Sequence, residues 1–269
     1  MILMAAFQET ITAAIREFEI YGYDSPTRLD DWLARIIAAA EESLVPAAKL
    51  EEELRRSFGA IYSRLIDKGG IMKMHKGVAR FTVDRLKPQM VQELQRRQLA
   101  SSQLIRLNRQ RMVQQTAQRF SGWATSIPAG GSDAIDKLDV KTNLRKALGS
   151  LPFEERRVMI DQGHKFTSAL NNIIALDGGA LAAMWHSHWR QPGYNYRPDH
   201  KERDMVIYTI RGNWALANGS MKVGPAGYLD DITQPAEEPF CRCFAQYLYN
   251  LRDLPDNMLT NKGKEVLGR

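Results

Sequence analysis

The chain has 269 residues, of which 44% are hydrophobic and 25% charged, so it reads as globular and is long enough to bury a core in one large body or two ordinary ones. No stretch approaches the roughly twenty uncharged apolar residues that a membrane span requires, and acidic residues enter the first segment too early for a secretory apolar core. A protein made in a reducing compartment, with no membrane partner, is expected. The net charge of +6 is uneven: 3 basic residues stand against 8 acidic ones over 1–48, 16 against 6 over 49–119, and 18 against 17 from 120 onward.

The first 120 residues read as helical. Ser25 and Pro26 form a start signal ahead of Leu29, Trp32, Leu33, Ile36 and Ile37, which recur at helical spacing. A second helix is expected over 47–68, stopping at Gly69-Gly70. The longest periodic segment, 81–120, places Leu86, Met90, Val91, Leu94, Leu104, Leu107, Met112 and Val113 on or near one face, with Pro88 either beginning or kinking it. Its other face carries Arg96, Arg97, Arg106, Arg109, Arg111 and Arg119 among many glutamines. That face is either an electrostatic surface for DNA or an acidic protein, or an ordinary solvated one.

The Gly, Pro and Ser of 121–135 mark a link. Two further helices are expected over 133–150 and 151–177, the second capped by Ser150 with Pro152 in its first turn, and His164 reads as a partly exposed helix residue and not as a ligand. After Asp177-Gly178-Gly179 the texture changes to short β-branched and aromatic runs, "ALAAMWHSHW" and "MVIYTI", separated by Gly and Pro. The fold expected is α+β: a helical, basic region over 1–120, then a small mixed α/β domain with a short sheet over 136–249, and a tail over 250–269.

That domain holds the residues able to do chemistry. The only two cysteines, Cys241 and Cys243, stand two residues apart, too close for an unstrained disulfide. His186, His188 and His200 precede them. On an extended strand residues two apart point to one side, so His186 and His188 could converge, as could Cys241 and Cys243, on a tetrahedral site suited to zinc. The alternative is two buried thiols and a polar histidine face. Pro198 should fix the backbone ahead of Asp199, which then caps a turn or short helix. Arg197 pairs with Asp230 or Asp231, or stays solvated. A hydrolytic reading would use the same ligands for a metal-activated water, with His200 or Asp199 as base. Against it, H-E-x-x-H, G-x-S-x-G and the phosphate-cradling loop are all missing from the sequence.

The order of these pieces, a tryptophan-ended strand, "RPDH", "MVIY", a glycine-rich middle and then "EEPFCRC", resembles the C-terminal domain of the phage Mu F-like minor head proteins. The resemblance covers about 152–249 and rests on Arg197, His200, Pro239, Cys241 and Cys243. Two departures stand out: Pro239 lies two residues before Cys241, and Met205 occupies a position where the family pattern has glycine. The resemblance implies a virion structural protein present inside the head in several copies around a symmetric partner, the portal or capsid protein. Its role there would be in head assembly or in DNA packaging and ejection, without catalytic turnover.

Overall fold

The computed structural model describes residues 2–268, and the side chains of 5–268. Eleven elements are used below: α1 (Ile2–Tyr21), α2 (Pro26–Glu42), α3 (Ala47–Tyr62), α4 (Arg80–Ala124), α5 (Lys137–Asp177), β1 (Ala182–His186), α6 (Pro198–Glu202), β2 (Ile207–Thr209), α7 (Trp214–Ala217), β3 (Phe244–Leu248) and α8 (Asn261–Leu267). The α+β layout is as expected, a mainly helical chain with one three-stranded sheet near its end. The compact units, however, do not follow chain order. One is built from 1–53 and 101–158, the other from 54–100 and 159–269, so the divisions fall inside α3, α4 and α5 and not at the link over 121–135.

The first unit is a helical body. Phe7, Ile11, Ala14, Ile15 and Phe18 of α1, at helical spacing, meet Leu29, Trp32, Ile36 and Ala40 of α2, with Met112, Val113, Phe120 and Ala124 of α4 and Leu144, Ala147, Leu148 and Leu151 of α5. As the sequence indicates, Ser25 caps α2, its hydroxyl oxygen accepting from Arg28 N at 3.3 Å. The two helices expected over 133–177 are one. Pro152 lies inside α5, and the Ser150 hydroxyl donates to the Ala147 carbonyl instead of starting a helix. Buried Leu148 and Leu151 fasten the turn that leads into the proline to the helical core, which offsets its missing hydrogen bond. Pro88 likewise lies within α4.

The segment over 121–135 is tied down. Gly130 N and Ser132 N donate to the carbonyls of Tyr21 and Glu19 at 3.0 and 2.9 Å, and Tyr23 N donates to Ile127 O at 3.2 Å. Gly131, at φ +84, lets the backbones touch: a Cβ there would lie 2.1 Å from the Glu19 carbonyl oxygen.

In the second unit the sheet order is β2-β1-β3, all antiparallel, with Ala183 opposite both Tyr208 and Tyr247. One face of β1 and β3 buries Ala183, Trp185 and Tyr247 with both cysteines. Alternation sends Leu181, Ala182 and Leu248 to a second cluster with Leu251, Leu254, Met258 and Leu259. The expected tail over 250–269 is therefore part of this body. Leu259 bridges to Met221, and Thr260 both caps α8, accepting from Gly263 N, and donates to Gly219 O at 2.7 Å. His75 is fully buried here, with Nε2 at 2.8 Å from Asn171 Oδ1 and Nδ1 on the Tyr249 hydroxyl.

Candidate metal centre

Pro198, with its fixed φ, opens α6 as the first helical residue and sets His200 one turn from Arg197. The cysteines lie just before β3 and not on it, in a turn where Cys241 N donates to Glu238 O at 3.1 Å. This turn is held from α5. Asp161 Oδ1 accepts from Phe240 N at 2.5 Å, the Ser168 hydroxyl donates to Pro235 O at 2.7 Å, and the Lys165 ammonium donates to Glu237 O. Such anchoring is needed because Ala236 and Phe240 adopt left-handed backbone, φ 66 and 60, which costs a residue with a Cβ about 1–2 kcal/mol.

The turn brings three donors together. His200 Nδ1 stands 3.5 Å from the sulfur of Cys241 and 3.5 Å from that of Cys243, and the three ligand atoms all lie within 4.8 Å of one another. All three side chains are buried, at 2%, 1% and 3% exposure respectively. Zinc bonds of about 2.3 Å to sulfur and 2.0–2.1 Å to nitrogen, at tetrahedral angles, require a sulfur-to-nitrogen edge of roughly 3.6 Å. The observed edges fit that requirement, and thiolate with imidazole is a donor set that selects zinc over hard cations.

The electrostatics separate the two thiols. Cys241 is pulled down to about 5, first by the hydrogen bond from the Cys243 thiol, then by the backbone N–H groups of Cys243 and Ala236 and by His200. Cys243, as the donor to that thiolate and deprived of solvent, is pushed well above its ordinary value. The shared proton thus favours the thiolate on Cys241 over that on Cys243.

His200 is supported from behind. Its Nε2 lies 3.7 Å from Glu238 and 3.8 Å from Asp199, the usual place for a carboxylate that orients a ligating imidazole. Arg197 pairs with Glu238 and donates to Pro239 O at 3.0 Å, so the arginine, the histidine and the cysteine turn form one connected corner. Arg211, not Arg197, takes Asp230 and Asp231, at 2.9 and 2.7 Å. Asp199 makes no capping bond; it pairs with Arg203 at 2.8 Å.

The H-x-H pair does not join the centre. His186 stacks on Phe244 with ring centroids 4.8 Å apart and His188 tilts against the same ring at 5.9 Å, while His186 Nε2 reaches Gln246 at 3.2 Å. The physical reason is strand alternation: the residues of β1 that face the cysteines are the odd ones, Ala183 and Trp185. In "WHSH" the informative pair is W-x-S. The sequence reading did not single out Trp185 or Ser187 as part of the site, although the same period-two rule could have found them. Trp185 Nε1, Ser187 Oγ and His200 Nε2 are buried and lack a hydrogen-bond partner among the described residues.

The arginine face of α4 is largely engaged within the protein. Arg96 and Arg97 both bind Glu93, at 2.6 and 2.7 Å. Arg109 is buried, bound to Glu155 and to the Val45 carbonyl, each at 2.6 Å. Arg119 donates to Asn143 O at 2.8 Å. Arg106 and Arg111 are exposed and have no ion pair among the described residues. The apolar face also differs from the expected one: Ile105 is buried, whereas Val91, Leu104 and Leu107 are exposed.

Compared with known proteins, the chain matches no family model, no curated protein and no solved structure.

Proposed function

We propose that this chain is a phage minor head protein, a virion component inside the capsid associated with the portal vertex. In this reading its C-terminal body is fastened by zinc on Cys241, Cys243 and His200. One observation carries the reading. The five positions on which the resemblance rests, Arg197, His200, Pro239, Cys241 and Cys243, fall in two groups about forty positions apart in sequence yet meet in one corner, with His200 and both cysteines buried. The role of this corner is positional. The ion would tie α6 to the turn before β3, and so fix the sheet and the loops that hang from it, because metal binding at such a site contributes directly to folding.

The hydrolytic alternative is less well supported by the geometry. Asp199 and Glu238 sit on the far ring nitrogen of His200, where a carboxylate orients the ligand and is turned away from the space between the sulfurs. Any contact with packaged DNA would fall to Arg106 and Arg111, the exposed arginines of the expected face that make neither an ion pair nor a hydrogen bond among the described residues.

Two measurements test the proposal. Metal analysis of the purified protein should find about one zinc per chain, lost together with thermal stability in Cys241→Ser/Cys243→Ser but kept in His186→Ala and His188→Ala. Zinc content and melting unchanged in the cysteine pair would sink the metal reading. Quantitative mass spectrometry of purified virions should find the chain at a few to a few tens of copies per portal ring; its absence from virions would sink the head-protein reading.

A further inference from the structure

Two of the buried polar atoms that lack a partner belong to side chains flanking Cys243. Trp185 lies opposite Ala245 in the β1–β3 register, and Ala245 shares a sheet face with Cys243. Ser187 follows the last paired residue of β1, His186, whose partner is Phe244, the residue after Cys243. Neither position is accidental. Asp204 accepts from Ser187 N at 2.9 Å and from Trp189 Nε1 at 2.8 Å, pinning the strand end. Trp185 is fully buried, edge-on to His200 with centroids 5.3 Å apart and covered by the Arg203 guanidinium at 5.2 Å.

A buried indole N–H or hydroxyl left unmatched costs about 1–3 kcal/mol, so a fold that leaves two of them unpartnered beside Cys243 calls for an acceptor there. A neutral thiol is a poor acceptor, whereas a thiolate is a strong one. The third such atom, His200 Nε2, lies 3.7 Å from Glu238 and 3.8 Å from Asp199, on the side of the ring away from the sulfurs.

We infer that Trp185 Nε1–H and Ser187 Oγ–H are the outer-shell donors that hold and tune Cys243 as a metal-bound thiolate, which makes them positioning residues of the centre. The inference rests on the metal reading given above. The two sulfurs are thereby unequal. Cys241 is served by backbone N–H groups that side-chain truncation leaves in place, while Cys243 is flanked by two side chains that can be deleted singly.

The test uses the full chain, stripped with chelator and reloaded with cobalt(II), which reports on its ligands by absorption. Wild type should show the visible bands of bound cobalt(II) and a thiolate-to-cobalt charge-transfer band. In Ser187→Ala and Trp185→Phe the visible bands should persist. The charge-transfer band should move to lower energy, because a sulfur lone pair without its donor is less stabilised. Zinc affinity, measured by chelator competition, should fall by about 10–100-fold, as for other outer-shell partners. Ser187→Thr, which restores the hydroxyl, should restore both readouts; should Trp185→Phe fail to fold, the Ser187 pair decides. Cobalt binding with an unchanged charge-transfer band and affinity in the variants overturns this inference alone. Altered visible bands in Ser187→Ala also overturn it, because Ser187 would then be a ligand. Failure of wild type to bind cobalt overturns the metal reading and this inference together.

Discussion

The Arg197 guanidinium donates to the backbone carbonyl of Pro239 at 3.0 Å, across 42 positions of sequence. It also pairs with Glu238, the carboxylate behind His200, so a residue outside the ligand set joins the histidine side of the centre to the cysteine side. Arg197→Ala should lower stability by about 1 kcal/mol, the ordinary worth of a partly exposed hydrogen-bonded pair, and weaken metal retention. Arg197→Lys should recover less than half, since an ammonium lacks the fork that serves two acceptors. Urea unfolding with zinc quantified in parallel checks both.

The arginines of α4 should divide sharply in their effects. Arg109→Ala removes a buried guanidinium from Glu155 and Val45, and a broken buried pair costs about 3–5 kcal/mol. Arg111→Ala, on the exposed face, should change stability by no more than about 0.5 kcal/mol. If the helix does touch DNA, Arg106→Ala/Arg111→Ala should flatten the salt dependence of binding by about one unit of slope for each arginine removed. A titration across potassium chloride reads that slope directly.

Met205 adopts a left-handed backbone, φ 66, with its side chain 56% exposed. Glycine removes the Cβ penalty of about 1–2 kcal/mol but loosens the unfolded chain by somewhat less. Met205→Gly should therefore raise stability by roughly 0.5–1 kcal/mol, and Met205→Val should lower it. Paired denaturation curves decide the sign.

His75 should give the fold a pH dependence of its own. Burial holds its pKa below the ordinary value, only partly countered by the bond to Asn171. The folded state thus binds its proton less readily than the unfolded chain, whose histidine titrates near 6.5. The contribution of neutral His75 is complete above about pH 6.5 and is lost as pH falls through the lowered folded value. Melting temperature should drop more steeply between pH 7 and 5 in wild type than in His75→Gln; parallel slopes would rule this out.

Most of the helical layout was readable because it depends on local chemistry. Ser25, Pro26 and the stripe from Leu29 to Ile36 act within a few residues of one another, and the structure keeps them as expected. Errors arose where distant packing overrides local signals. Pro152 looks like a helix start until Leu148 and Leu151 are seen in one core. Arg96 and Arg97 look free until Glu93 is seen beneath both. For the centre, residue types and spacing put His200, Cys241 and Cys243 among five candidate ligands, with His186 and His188 beside them. They could not fix which side of β1 faces the cysteines, since a shift of one residue inverts the choice. Nor could they reveal that α5, through Asp161, Lys165 and Ser168, holds the cysteine turn, because nothing in those residue types distinguishes an anchor from a solvated face.

Each compact unit is assembled from two stretches of chain, 1–53 with 101–158 and 54–100 with 159–269. This interleaving constrains how the gene can vary. A single crossover in the glycine-rich turn around residue 130, the place where a module boundary would be drawn by eye, leaves the helical body with mismatched halves. It does this because α1 and α2 would come from one parent and the Leu144–Leu151 portion of their core from the other. To exchange the metal-bearing body intact, recombination would have to carry 54–100 along with it, so the two bodies are expected to be inherited together.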